Sequence, residues 1–337
     1  MQTKRDDFYI KPSDFIWSGS RTPALKTTSN STLIHSLGHI HVMGLPTPSN
    51  NQPFCTVSAL HGGEMSVAEE LFITDATPGS KMTAPSLCFM INHSEKPQRF
   101  LFDLGIRSDT ENYPPNVQKI LAGGFSVDAT QNCLQDLEKA GTKPADIDFV
   151  CISHCHFDHV GNTHAFNQST FVVGGECRSL LEKGYPHDPD ANYAADLLPA
   201  DRTQYISDAD WKPVGPFPSA FDFYGDGSLY IVDSPGHLHG HVNILARTSS
   251  DGAWIYLAGD SAHHWKILTG ESQIKVGAPW DPNFCMHVDK AKAEEHIGRI
   301  REIWKTPRVR VLLAHDGPWY KENEGGPAFW PGKIESL

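Results

Sequence analysis

The sequence predicts an α+β protein in which β-sheets are packed between helices. Stretches of strand pattern occur in both halves of the chain, and each half also contains one amphipathic helical pattern. The 337 residues are 39% hydrophobic and 20% charged, which is enough apolar material for a large core. The order of strands, helix, strands and helix therefore favours sheets sandwiched between helices.

The first half opens with strands. Apolar stretches with Gly, Pro or Asn at their borders lie at residues 55–60, 86–91 and 99–105. Residues 129–141 predict a helix, because their apolar positions share one face and Gly141 stands where a helix commonly ends. Residues 147–153 form a nearly continuous apolar run, which is typical of a strand buried on both faces.

The second half repeats this order. Strand patterns lie at residues 170–173, 229–232, 242–245, 253–257 and 309–313. Helical spacing runs from about Asp289 to Trp304. The positions predicted to face inward on that helix are Ala293, Ile297, Ile300 and Trp304.

We expect one folded domain at residues 54–337. Residues 1–53 are rich in Ser, Thr, Pro and Asn, so we expect an N-terminal extension that wraps the core. The Pro-rich and Asp-rich stretch at residues 185–218 is a candidate lid insertion.

Charge and composition narrow the classes of partner. A formal net charge of -12 argues against general affinity for nucleic acid or anionic membranes, which require a basic face, and favours a small-molecule substrate. The start of the sequence lacks the apolar stretch of a secretory signal, and the seven cysteines do not suit a disulfide framework. We therefore expect a cytoplasmic protein with reduced thiols, whose oligomeric state the sequence leaves open.

The segment from His154 to His159 holds the strongest chemical signal. His154, His156, Asp158 and His159 are four side chains able to bind a metal within six residues, directly after a buried strand. In extended backbone the two-residue spacing of the first two histidines points both rings the same way. The alternative is a polar loop whose histidines cap backbone groups. The density of ligands favours a site for zinc or a similar divalent ion.

Three further candidates follow strands or tight turns elsewhere in the chain. They are His237 after Pro235-Gly236, Asp260 after Gly259, and His315 after Ala314. A catalytic zinc ion needs three protein ligands, so the segment at 154–159 has to be completed from such distant positions. His239 and His241, near His237, are interpreted as loop histidines and not as ligands.

In this order the motifs resemble the metallo-β-lactamase superfamily over roughly residues 55–316. The resemblance rests on Phe-Asp-Leu-Gly at 102–105, Ser-His-X-His-X-Asp-His at 153–159, Pro-Gly-His, Gly-Asp and Ala-His-Asp. It implies an αββα four-layer sandwich, with two mixed β-sheets flanked by helices and two metal ions at one edge. It also implies three sets of ligands: His154, His156 and His237 for the first ion, Asp158, His159 and His315 for the second, and Asp260 as a bridge. Asp103 would support these ligands from behind.

The resemblance also implies a reaction. Two divalent ions, with zinc preferred, would lower the pKa of a shared water toward ~7, and the hydroxide would attack a carbonyl group. Asp158 could carry the proton to the leaving group. An aspartate at the bridge resembles the lactonase, glyoxalase II and phosphodiesterase branches, so opening of a lactone or lactam ring is the preferred hypothesis. Acyl-thioester hydrolysis is the alternative, followed by a non-hydrolytic metal-binding protein.

The substrate-binding residues are less well indicated. Lactonases of this superfamily commonly have Tyr three residues after the bridging Asp, whereas His263 stands there and could donate a hydrogen bond instead. His264 could substitute for it, or both could be supporting or surface histidines. Residues 265–284, including Trp280, could wall an apolar pocket opposite Tyr185 and Tyr193, although core packing explains the same aromatic residues.

Overall fold

A computed structural model describes residues 44–337, so the predicted extension at residues 1–53 lies outside the described residues except for positions 44–53. The strands are β1 (Cys55–Ala68), β2 (Lys81–His93), β3 (Arg99–Phe102), β4 (Ser126–Asp128), β5 (Phe149–Cys151), β6 (Thr170–Gly174), β7 (Thr203–Ile206), β8 (Lys212–Val214), β9 (Phe217–Asp222), β10 (Leu229–Asp233), β11 (Val242–Arg247), β12 (Trp254–Leu257) and β13 (Val309–Leu312). The α-helices are α1 (Pro115–Gly123), α2 (Cys133–Lys139), α3 (Phe157–Val160), α4 (Arg178–Glu182), α5 (Trp265–Thr269), α6 (Lys290–Trp304) and α7 (Gly317–Asn323).

These strands form two mixed sheets. The first has the order β4-β1-β2-β3-β5-β6-β7, in which β1, β2 and β3 pair antiparallel and β3, β5, β6 and β7 pair parallel. The second has the order β13-β12-β11-β10-β9-β8 and is antiparallel except for the pair of β12 and β13. Because β10, β12 and β13 run in the same direction, their carboxyl ends lie at one edge of the second sheet.

The core has three apolar layers. Between the sheets, Phe89 of β2 packs in one cluster with Ile231 and Ile244 of the second sheet. Leu137 of α2 packs with the outer face of the first sheet, and Ile297 of α6 with the outer face of the second. Full burial of such a side chain contributes about 1.5–3 kcal/mol. The layers therefore run helix, sheet, sheet, helix, and the predicted αββα sandwich is confirmed.

The first predicted helix is shorter than its apolar pattern. It was expected at residues 129–141, but α2 begins at Cys133 because Asn132 caps it. The Asn132 side chain accepts hydrogen bonds from the backbone N–H groups of Leu134 and Gln135, and the Gln135 side chain accepts one from the Asn132 N–H. At the other end, Gly141 adopts a φ of 68°, which favours glycine after a helix end.

The second predicted helix is confirmed except for its last inward position. Helix α6 is capped by Asp289 and buries Ala293, Ile297 and Ile300, as expected. Trp304 is 39% exposed, so its inward placement was wrong, and Ile303 is buried instead. At the end of the helix the Trp304 ring packs on Trp265, with 5.7 Å between the ring centres. Within residues 44–337, no helix combines the length and the apolar character needed to cross a bilayer.

The candidate lid at residues 185–218 carries the chain from one sheet to the other. Residues 185–202 form turns and bends, β7 then joins the first sheet, and β8 and β9 begin the edge of the second. Asn192 and Tyr193 border the cleft above the candidate site. Lid motion in this segment stays a prediction.

Candidate metal centre

All seven predicted metal-binding residues follow the carboxyl ends of strands. The segment at 154–159 follows β5, His237 follows β10, Asp260 follows β12 and His315 follows β13. Because β10, β12 and β13 end at the same edge, their loops meet the loop after β5 across the sandwich. The fold thus gathers residues that are up to 161 positions apart, between His154 and His315, into one buried cluster.

The glycines of the Pro-Gly-His and Gly-Asp motifs let the turns that carry His237 and Asp260 pack closely against neighbouring atoms. Gly236 has a φ of 128°, and a Cβ atom there would lie 2.2 Å from the backbone nitrogen of Ala293 on α6. Gly259 has a φ of 46°, and a Cβ atom there would lie 2.7 Å from His241 Nε2. Any larger residue would push the turns that carry His237 and Asp260 away from the site.

Asp103 supports the loop that carries the histidines. Its Oδ1 accepts a hydrogen bond from the Ser153 N–H at 2.6 Å, and its Oδ2 accepts one from the Ser153 hydroxyl at 2.8 Å. The same Oδ2 lies 2.9 Å from His159 Nδ1. A proton on Nδ1 leaves the lone pair of His159 Nε2 directed into the cluster. Burial raises the pKa of Asp103, and the His159 imidazole opposes that rise.

The first group of ligand atoms comes from His154, His156, His237 and Asp260. His237 Nε2 lies 3.1 Å from His154 Nε2 and 2.9 Å from His156 Nδ1. Asp260 Oδ2 lies 3.4 Å from His237 Nε2 and 3.7 Å from His154 Nε2. Ligands about 2.0–2.1 Å from a tetrahedral zinc ion stand roughly 3.3 Å apart, so the group has the dimensions of such a site.

The second group comes from Asp158, His159, Asp260 and His315. Asp260 Oδ1 lies 3.2 Å from His159 Nε2 and 3.1 Å from His315 Nε2. Asp158 Oδ2 lies 3.5 Å and 3.4 Å from the same two nitrogen atoms. His315 Nδ1 donates to the Pro85 carbonyl at 2.8 Å, which turns Nε2 toward the carboxylates. One Asp260 oxygen therefore faces each group, as a bridging carboxylate requires.

The residues present fit divalent ions by their chemistry. His159 Nε2 and Asp260 Oδ1 are buried without a hydrogen bond among the described residues, although they face each other. Burial lowers the pKa of His156 to about 4 and that of His237 well below its ordinary value, so both rings are neutral and able to bind a metal at pH 7. Burial favours a protonated Asp260, but the imidazoles of His315 and His159 hold the pKa of Asp260 well below its usual range.

The two histidines near His237 differ from each other. His239 is exposed, as a loop histidine should be. His241 is fully buried, so its interpretation as a solvated loop residue was wrong. Its Nδ1 donates to the Ser234 carbonyl at 3.0 Å, and its Nε2 accepts from the Asp260 N–H at 3.1 Å. His241 therefore positions the backbone of Asp260 without belonging to either group of ligand atoms.

The adjacent residues His263 and His264 also differ in position and contacts. His263 is buried and borders the cleft, and its Nε2 lies 3.3 Å from Asp260 Oδ2. His264 Nδ1 accepts a hydrogen bond from the Lys266 N–H and caps α5, while its Nε2 lies 3.6 Å from a Glu69 oxygen. Of these two residues, His264 caps a helix and His263 borders the cleft.

His287 is a residue that sequence reasoning missed. It is 3% exposed, and its ring centre lies 5.2 Å from that of His237 and 5.0 Å from that of His263. Burial, together with the His263 imidazole, lowers the pKa of His287 well below its ordinary value. No strand pattern or glycine turn precedes His287. Only its place directly after the aromatic stretch at residues 265–284 could have drawn attention to it.

An apolar cleft opens onto both groups. His156, Asp158, His237, Asp260, His263 and His315 form its floor. Its walls are formed by Met65, Phe72, Met82, Val117, Ile120, Phe125, Phe157, Asn192, Tyr193, Phe284 and Met286. Of the predicted wall residues, Phe284 and Tyr193 border the cleft. Trp280 packs behind Phe284 with 5.6 Å between ring centres, and Tyr185 is 37% exposed and does not border it.

A four-layer sandwich with a buried histidine and aspartate cluster at its edge defines the class of metallo-hydrolases. The family model of the metallo-β-lactamase superfamily matches residues 85–284. The chain belongs to this superfamily, and membership implies divalent metal ions held by such clusters.

Known proteins of several kinds resemble the chain. It is 31% identical to the cytochrome P450 monooxygenase mpaDE' of Penicillium brevicompactum, over 81% of this chain and 34% of that protein. It therefore spans about a third of the length of that relative. It is 38% identical to the gamma-lactamase MBL2 of Gibberella moniliformis, over 49% of this chain and 70% of that protein. The crystal structure of a B. thuringiensis AiiA variant with bound N-decanoyl-L-homoserine shares the fold, with a TM-score of 0.63, 18% identity and coverage of 87% of this chain and 100% of that chain.

Proposed function

We propose that this protein is a dinuclear metal-dependent hydrolase that opens a lactone or lactam ring. The observation that carries the proposal is the bridging geometry of Asp260, with one carboxylate oxygen toward each group of ligand atoms at the floor of an apolar cleft. The likeness to a gamma-lactamase supports a cyclic carbonyl substrate.

We assign His154, His156 and His237 to one ion, and Asp158, His159 and His315 to the other, with Asp260 between them. Imidazole nitrogen and carboxylate oxygen suit zinc, which is the ion we propose for both positions. When bound, the ions would polarise the carbonyl group of the substrate and acidify a water molecule toward a pKa of ~7.

We propose that Asp158 moves the proton. It borders the cleft, and its Oδ2 stands within 3.5 Å of two imidazole nitrogens of the second group. In the proposed reaction, water adds its oxygen to the carbonyl carbon and the ring C–O or C–N bond breaks. Asp158 takes the proton from the attacking water and returns it to the ring oxygen or nitrogen that leaves. The product is a hydroxy acid or an amino acid.

We propose that His263 holds the carbonyl group. His263 borders the cleft beside Asp260, and Phe72 packs against it with 5.1 Å between ring centres. A neutral imidazole N–H in this position can donate a hydrogen bond to the carbonyl oxygen as negative charge develops there. We propose this as the counterpart of the tyrosine hydroxyl in related lactonases.

The cleft favours a neutral substrate with an apolar substituent. Among its lining residues, all within the described part of the chain, there is no lysine or arginine, and methionine and phenylalanine supply most of the wall. A thioester with an apolar acyl group would fit the same wall, so thioester hydrolysis remains the second candidate.

The test is a matched panel of substrates assayed with zinc-reconstituted protein. γ-Decalactone and 5-hexylpyrrolidin-2-one share ring size and side chain and differ only in the ring heteroatom, and decanoyl-N-acetylcysteamine supplies the thioester. We expect mass spectrometry to find ring-opened acid from one or both cyclic substrates, at a rate well above that of the thioester. Faster thioester cleavage would favour the second candidate. Turnover of none of the three, in protein carrying two ions per chain, would refute the proposal.

A further inference from the structure

A second group of imidazoles stands beside the first group of ligand atoms. One nitrogen from each of His237, His263 and His287 lies within 4.8 Å of the others, and all three residues are buried. Both ring nitrogens of His287 lack a hydrogen-bond partner among the described residues. A buried polar atom without a partner is costly, so these nitrogens point to a ligand that supplies the missing hydrogen bonds.

The backbone holds His287 in this place. The Val288 N–H donates to the His237 carbonyl at 3.1 Å, and the Asp289 N–H donates to the Gly236 carbonyl at 2.9 Å. These bonds tie the segment of His287 to the turn that carries a metal-binding residue. The polar atoms of the imidazole are not used to position it, so they remain available to a bound molecule.

We propose that His287, together with His263, hydrogen-bonds the carbonyl oxygen of the substrate and the carboxylate of the ring-opened product; this inference rests on the proposed ring-opening function. His263 borders the cleft, whereas His287 is 3% exposed and is not among the lining residues. Its ring centre lies 5.0 Å from that of His263, and Phe284 and Met286 of its own segment border the cleft. An oxygen atom with partial negative charge suits two N–H donors.

A third metal ion suits this group less well. It would share His237, which also belongs to the first group of ligand atoms. This group of three imidazoles contains no carboxylate that would offset the double positive charge of a third ion next to the two proposed ions. A third ion is therefore treated as an outcome of the test that would overturn the proposal.

The experiment compares His287→Phe, which removes both polar atoms, with His287→Gln, which keeps a donor. His239→Phe is the matched control, because His239 lies on the same turn as His237 but is exposed. Each zinc-reconstituted protein is assayed with γ-decalactone, its affinity for 4-hydroxydecanoate is measured by calorimetry, and its metal content is counted. We expect His287→Phe to raise KM and weaken product binding roughly tenfold, with a smaller change in kcat and two ions retained. His287→Gln should restore most of the affinity, and His239→Phe should match the wild type.

Unchanged KM and unchanged product affinity in His287→Phe would overturn the proposal. A third ion in the wild type that is lost from this variant would overturn it in favour of a metal site. If His287→Phe does not fold, His287→Met carries the same expectation, and failure of both apolar variants to fold would assign His287 a structural role instead. A wild-type protein that opens no ring refutes the proposed function, and binding of 4-hydroxydecanoate then still decides the role of His287.

Discussion

Replacement of Asp103 by asparagine tests how the fold supports the metal-binding loop. The carboxylate accepts hydrogen bonds at 2.6 and 2.8 Å from Ser153 and lies 2.9 Å from His159 Nδ1. Asparagine keeps the shape and tolerates the φ of 61° at this position. It replaces a charged acceptor by a neutral one, which costs about 1–2 kcal/mol across these contacts. Since 1.4 kcal/mol is about tenfold, this cost corresponds to a roughly 5–30-fold loss of affinity for the second ion.

The assay is competition with a graded chelator, followed by a count of zinc per chain. Asp136→Asn is the matched control, because Asp136 is also buried and makes a similar pair of contacts, to the His61 N–H at 2.8 Å and to His61 Nδ1 at 2.6 Å. Both variants should lower thermal stability, whereas only Asp103→Asn should release one ion early. If Asp103→Asn kept both ions at the wild-type affinity, or if both ions left together, selective support of His159 would be refuted.

Three further variants test the proton carrier, the close contact at Gly236 and the titration of Asp233. Asp158→Asn should lower kcat for γ-decalactone by ~10²-fold or more by removing the proton carrier, and a wild-type rate in protein with two ions would contradict that role. Gly236→Ala should destabilise the protein by at least ~2 kcal/mol in urea unfolding and reduce its zinc content, because the new Cβ meets the Ala293 nitrogen; an unchanged midpoint would contradict the close approach. Burial, with Glu176 nearby, raises the pKa of Asp233 to about 6. The folded metal-free protein therefore binds this proton more tightly than the unfolded chain. Its free energy of unfolding should decrease as the pH rises from about 4 to about 6. Asp233→Asn should remove that loss, worth about 1–2 kcal/mol for a partly exposed group, and parallel stability curves for variant and wild type would contradict it.

Much of the sandwich could be predicted from local sequence pattern, whereas the seven candidate ligands were predicted from local pattern together with the order of motifs that resembles the superfamily. A buried strand such as β5 is recognisable as an apolar run, and the segment at 154–159 directly follows it. Gly236 and Gly259 are recognisable because a backbone at positive φ in close contact accepts no larger residue. Strands such as Ser126–Asp128 and Lys212–Val214 were missed, since most of their residues are exposed and they form no apolar run.

The roles of the other histidines could not be predicted, because they depend on which backbone groups come near each ring. His239 and His241 are two residues apart on one turn, yet one is exposed and the other holds the Asp260 backbone. His263 and His264 are adjacent, yet one faces the cleft and the other caps a helix. His287 comes to the site because the backbone after it pairs with the turn of His237. Composition records only that histidine is abundant, and the partner of each ring nitrogen determines whether it can bind a metal, position a ligand or contact a substrate.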